Sequence, residues 1–160
     1  MAPQQKPIDF YPYRSVGSAV IYGSPSLFYP RAQTYWKRSY ITRTGAFLER
    51  IIPQLTRVDM DEGKGKLSVE RVTRPVSPPD LRSLLANRRG TRPWQMIWLL
   101  LRYLEEGDGP FSPHHSTVAQ IDEDVWMIIS YSWMAKRWVL DVNDASSITT
   151  FRPGTYILVY

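Results

Sequence analysis

The sequence predicts an α+β domain: an antiparallel β-sheet with two consecutive helices packed on it, preceded by an extended N-terminal arm. Three observations carry that expectation. Trp94, Ile97, Trp98, Leu101 and Leu104 recur at helical spacing inside the longest apolar run of the chain, and Leu81, Leu84 and Leu85 make a shorter stripe just before it. From Val125 to Tyr160 the apolar residues instead alternate, or gather in short runs between turn residues, as strands do. The first third has neither period and is punctuated by proline at 3, 7, 12, 25 and 30. Strands gathered around a helical pair read as α+β.

The arm is taken as residues 1–45 and the globular domain as residues 46–160. Within the arm, Asp9-Phe10-Tyr11-Pro12-Tyr13-Arg14 and Leu27-Phe28-Tyr29-Pro30-Arg31 are two short pieces of similar chemistry. Proline restricts such segments before they bind, which lowers the entropy lost on docking. Phe10, Tyr11, Pro12, Tyr13, Phe28, Tyr29 and Pro30 are therefore candidate self-association residues, with packing onto their own domain as the equally open alternative. Arg31, Lys37, Arg38 and Arg43 follow, interleaved with Tyr35, Trp36 and Tyr40. The cations suit phosphates, and the rings suit either stacked bases or a lipid headgroup boundary.

Phe47 to Val72 reads as strands, with a turn at Asp61–Gly65 and Leu67 and Val69 on one face of the last strand. Ser77 is placed to cap a helix whose first residue is Pro78, with Asp80 completing an approximate capping box. The basic elbow Arg88-Arg89-Gly90-Thr91-Arg92 leads into the long helix. Thr91 is the expected cap, Pro93 lies in the first turn and Gly107 provides a left-handed stop. This helix is apolar nearly all round, which predicts a buried strut. It falls short of the roughly 20 apolar residues that span a bilayer. Two helices across Gly90 look superficially like a helix-turn-helix, but only Gln95 and Arg102 on the second could read base edges. Arg88, Arg89 and Arg92 are expected to stay exposed and to extend the basic surface.

Gly107–Thr117 reads as a loop holding His114 and His115, the only histidines. Adjacent positions share no face of a helix or strand, so the pair does not suggest a metal site. Val125–Trp133 and Trp138–Val142 form a hairpin joined through Met134-Ala135-Lys136-Arg137, and Thr155–Tyr160 is expected to be paired within the sheet. Asp122-Glu123-Asp124 reads as a solvated, edge-protecting turn.

Charge is distributed unevenly. Residues 1–50 carry seven basic and two acidic side chains and residues 51–160 thirteen of each, so the whole formal excess of +5 sits in the first third. That asymmetry points to an anionic partner, either nucleic acid or acidic lipid. The absence of cysteine excludes disulfides, thiol nucleophiles and cysteine zinc sites. Met1–Pro12 lacks the apolar core of a signal peptide, and Ala2 does not fit a myristoylation signal. No nucleophile elbow, dinucleotide fingerprint or phosphate loop occurs. The expectation is a non-enzyme with no cofactor, no metal and no small-molecule substrate.

The order strand (Lys66–Val72), proline turn (Pro75–Pro79), short helix (Asp80–Asn87), basic glycine elbow (Arg88–Arg92), apolar helix (Pro93–Glu106), proline loop and sheet resembles the globular domain of rhabdovirus matrix proteins. The Trp138-Val139-Leu140-Asp141 segment is similar to late strands of that family, and the chain's length is nearer its smaller, plant-infecting members. A Pro-Pro-x-Tyr budding motif is absent. The resemblance implies a viral structural protein that self-associates through its N-terminal arm, condenses the nucleoprotein–RNA complex and bridges it to an anionic membrane. It further implies a place in the virion and at the inner face of a host membrane, with the nucleus as a further compartment. The alternative from the residues alone is a nucleic-acid-binding protein, either a nucleocapsid factor or a silencing suppressor, working through Arg31, Lys37, Arg38 and Arg43.

Overall fold

A computed structural model describes residues 11–21, 41–55, 65–88 and 90–160. Seven strands, β1 (Tyr13–Ile21), β2 (Ile41–Arg43), β3 (Gly65–Val72), β4 (Thr117–Asp122), β5 (Val125–Ser132), β6 (Arg137–Asp144) and β7 (Tyr156–Val159), form one sheet in the order β1-β3-β7-β4-β5-β6-β2. The helices are α1 (Gly45–Arg50), α2 (Ile52–Leu55), α3 (Pro78–Leu84) and α4 (Pro93–Glu106). Most neighbouring strands are antiparallel, but β4–β7 and β2–β6 are parallel.

The expected antiparallel sheet is thus corrected to a mixed one. The chain's last strand inserts between β3 and β4, and each parallel pair has only two or three residues in register. Alternation along a strand reports which face is buried, not which way its neighbour runs, so this pairing leaves no local mark. A second correction concerns the stretch assigned to the arm, since Tyr13–Ile21 and Ile41–Arg43 are strands of the sheet. Only Ala19 and Ile21 of β1 are buried, which is too sparse a pattern to read as a strand. A third is that Gly45–Arg50 is helical rather than extended, with Thr44 Oγ1 accepting from the Phe47 N–H at 3.3 Å.

Strand alternation divides the core between the two faces of the sheet. On one face, Leu67, Val69, Ala119, Met127, Ile129, Trp138, Leu140, Val142 and Leu158 pack with α4 and with Phe47 of α1. On the other, Val72, Val118, Trp126, Ile157 and Val159 pack with Leu81 and Leu85 at α3 and with Phe151. The two consecutive helices therefore do not share one face of an antiparallel sheet; they lie on opposite faces of a mixed one. The reading of α4 as a strut agrees with its burial: Met96, Ile97 and Leu100 are fully enclosed. Its N-cap is Arg92 rather than Thr91, and Gly107 closes it in the left-handed conformation, φ 74°. At α3, Ser77 caps as its sequence context suggests, accepting from the Asp80 N–H at 3.3 Å.

The link between the two helices has to pass from one face to the other. It does so where β4 and β7 part. Their parallel register ends at Val118 and Ile157, and Thr91 occupies the gap beyond. The Thr91 N–H donates to the Gln120 carbonyl at 3.2 Å, and its hydroxyl donates to the Leu158 carbonyl at 2.9 Å. Beside it, a Cβ on Gly90 would stand 2.4 Å from the Gln120 carbonyl oxygen. Thr91 is 1% exposed, and it satisfies strand carbonyls that parallel pairing leaves open at that point.

Candidate functional site

Of the basic elbow predicted as a binding surface, Arg88 is built into the fold. Arg88 reaches Glu70 on β3, with Nη1 2.7 Å from Oε1, and its Nε donates to the Tyr160 carbonyl at 3.3 Å. The Glu70 side chain is only 6% exposed and also accepts from the Ser68 hydroxyl at 2.9 Å. A carboxylate so enclosed needs a cation, and Arg88 supplies it. Arg92 is half-buried at the N-cap, where its backbone N–H donates to Gln95 Oε1 at 3.0 Å. Gln95 in turn bonds the Tyr160 hydroxyl. Arg43 is half-buried at the end of β2. Arg31, Lys37, Arg38 and Arg89 lie outside the described residues.

The aromatic–proline segments divide in the same way. Pro12 is buried and its carbonyl accepts from the Thr73 N–H at 2.7 Å, while Tyr13 opens β1 and packs against the α3-side core. Burial, with the Glu70 carboxylate nearby, raises the Tyr13 pKa above its ordinary value of 10.0. Tyr11 is exposed, its ring 5.7 Å from that of Tyr13. Pro12 and Tyr13 thus pack on their own domain. Phe10, Phe28, Tyr29 and Pro30 lie outside the described residues.

Two surfaces not singled out from the sequence stand open. The first is the outer edge of β1, the terminal strand of the sheet, which has no partner strand beyond it among the described residues. Arg14–Ser18 and Val20 are exposed, and a bulge between Ser15 and Gly17 shifts the register with β3. An unpaired strand edge offers backbone donors and acceptors to an incoming strand.

The second is the tip of the β5–β6 hairpin. The ladder between these strands runs out to Ser132–Arg137, whereas among the described residues β4 pairs as far as Ile129 and β2 as far as Trp138. Among the described residues no further strand flanks the end of the hairpin, and the turn carrying Pro113 and His114 lies against it. At its apex Trp133 is 61% and Met134 98% exposed, followed by exposed Ala135, Lys136 and Arg137. The Trp133 indole N–H donates to the Pro113 carbonyl at 3.1 Å. Its ring lies 5.0 Å from Tyr131 and 5.5 Å from His114, centre to centre. The signal for this site was present in the sequence: a hairpin turn reading Trp-Met-Ala-Lys, where Asn, Asp or Gly is the usual chemistry.

The opposite end of the same hairpin is acidic and paired. Arg82 on α3 bridges Glu123 at 2.6 Å and Asp124 at 2.7 Å, and Arg50 meets Asp144 at 3.1 Å. The Asp122–Asp124 turn is solvent-exposed, as expected, and two of its carboxylates also pair with Arg82 of α3. Among the described residues no three His, Cys, Asp or Glu side chains come together to hold a metal ion, and no helix is long and apolar enough to cross a membrane. No protein-family model, curated protein or solved structure matches the chain.

Proposed function

We propose that this chain is an assembly protein of the matrix type, which self-associates and joins a ribonucleoprotein to an anionic membrane surface. The observation that carries the reading is the edge of β1, nine residues long and without a partner strand among the described residues, with Val16 and Val20 exposed on it. A bulge at Ser15–Gly17 interrupts the run, and the stretch on either side of it can take an incoming strand, as a protein that builds arrays requires. The basic excess of residues 1–50 supplies affinity for the nucleoprotein–RNA complex, and the resemblance in element order to rhabdovirus matrix proteins points the same way.

Sedimentation velocity of the full chain over a concentration series tests this. The wild type is expected to form oligomers, and Val16→Lys with Val20→Lys to shift it to monomer without lowering its melting temperature, because both side chains face solvent in the single copy. A wild type that stays monomeric throughout, or a double variant that assembles as before, refutes self-association through this edge. Salt-steep binding to RNA by the monomer, with no assembly, would instead mark a nucleic-acid-binding protein.

A further inference from the structure

We propose that the β5–β6 tip, formed by Trp133, Met134, Lys136 and Arg137, is a docking site for the headgroup layer of an anionic phospholipid bilayer. The inference rests on the matrix-type reading only in taking a membrane as one of the protein's surfaces; the site itself is argued from the tip. Met134 is the apex and is almost wholly exposed, a position where an apolar side chain gains nothing from its own fold. Trp133 beside it is held in place: its one polar group already bonds Pro113, and Tyr131 and His114 flank its ring. An indole fixed in this way presents apolar surface with little entropy left to lose on insertion, and Trp favours the depth between headgroups and acyl chains.

Charge selects the occupant. Lys136 and Arg137 follow the apolar pair and have no ion-pair partner among the described residues. Two such cations beside two apolar side chains match a surface that is anionic outside and apolar a few ångströms deeper. A second copy of this chain is the poorer match: the whole is net positive, and Glu123, Asp124 and Asp144 at the far end of the hairpin are already paired with Arg82 and Arg50. Single-stranded RNA would use the cations and the indole but leave Met134 in water. The backbone adds an independent sign. Lys136 has φ 54°, the only non-glycine residue in the left-handed region among those described, where glycine or asparagine sits with less strain. The turn keeps a cation at a position that local geometry does not favour.

Co-sedimentation of the full chain with vesicles of phosphatidylcholine, alone or mixed with phosphatidylserine, tests the site in three proteins. The wild type should bind the mixed vesicles and prefer them to the neutral ones. Trp133→Ala with Met134→Ser should weaken binding to the mixed vesicles about tenfold or more. Lys136→Gly with Arg137→Gln should erase the phosphatidylserine preference, at about fivefold per cation. Its melting temperature should hold or rise, since glycine relieves the left-handed position, so lost binding cannot be blamed on lost folding. Binding to mixed vesicles that neither double variant weakens, or a wild type that ignores phosphatidylserine, overturns the proposal. So does a tip variant that loses RNA binding or self-association while holding vesicles as before. Failure of assembly with tip-dependent vesicle binding intact would count against the matrix-type reading alone.

Discussion

The elbow and the hairpin tip carry similar residues and put them to opposite uses. Arg88 and Arg92 stand at a crossing point of the sheet, where Arg88 neutralises Glu70 and Thr91 fills the gap between β4 and β7. Lys136 and Arg137 stand exposed at the end of the β5–β6 hairpin, beside Trp133 and Met134. What separates them is the accounting of polar and apolar groups. At the elbow the Arg88 cation has a structural task, because the enclosed Glu70 carboxylate and the Tyr160 carbonyl demand a partner. At the tip Trp133 is anchored to Pro113, while Met134 and the two cations meet no such demand among the described residues. A cluster of basic residues in a sequence is therefore a weak pointer to a binding surface until the buried acids it could serve have been found.

That contrast can be broken by mutation. The largest effect is expected at Gly90, where alanine would drive a Cβ into the Gln120 carbonyl and force the crossing apart. Gly90→Ala should lower stability by about 3 kcal/mol or more, read from urea denaturation. Next comes Arg88→Ala, which leaves Glu70 enclosed without its cation and should cost about 3 kcal/mol. The third effect is confined to alkaline pH. The Tyr13 pKa is raised in the fold, so the unfolded chain ionises first. The stability that this hydroxyl contributes is intact below pH 10.0 and lost as pH climbs through the folded-state value. Tyr13→Phe should flatten that alkaline decline in a melting-temperature profile. Smallest is Trp133→Ala with Met134→Ser, expected to cost about 1 kcal/mol: Met134 faces water, and Trp133 gives up only its Pro113 hydrogen bond and ring contacts at the surface. An elbow variant as mild as the tip variant would erase the distinction drawn between them.

Parts of this architecture were legible in the sequence. Ser77 and Pro78 marked the start of α3, Gly107 the end of α4, and the apolar spacing of Trp94 to Leu104 its burial. The β5–β6 hairpin announced itself by alternation. What escaped notice did so for physical reasons. The strand β1 buries two residues of nine, β2 has three residues in all, and α1 is under two turns long, so no period can develop in them. The crossing between β4 and β7 depends on residues distant in the chain, Gly90 and Thr91 against Gln120 and Leu158, and has no local signature. The cap at α4 was misplaced by one residue because Thr91, the better capping chemistry, is taken by the Leu158 carbonyl. The candidate site followed the same logic. Arg88 is visible in the sequence as charge, but its pairing with Glu70, eighteen residues away, is not, and nothing local marks Met134 of the hairpin connection as almost wholly exposed.

The most direct test of the contrast removes the elbow's cation without unfolding the elbow. Glu70→Leu with Arg88→Met replaces the enclosed pair by apolar side chains of similar bulk, an exchange that buried pairs commonly tolerate. Affinity for phosphatidylserine-containing vesicles should match the wild type in that protein and fall about tenfold in Trp133→Ala with Met134→Ser. If the elbow exchange loses the affinity and the tip exchange keeps it, the binding charge lies at the elbow and the account given for the two regions is reversed.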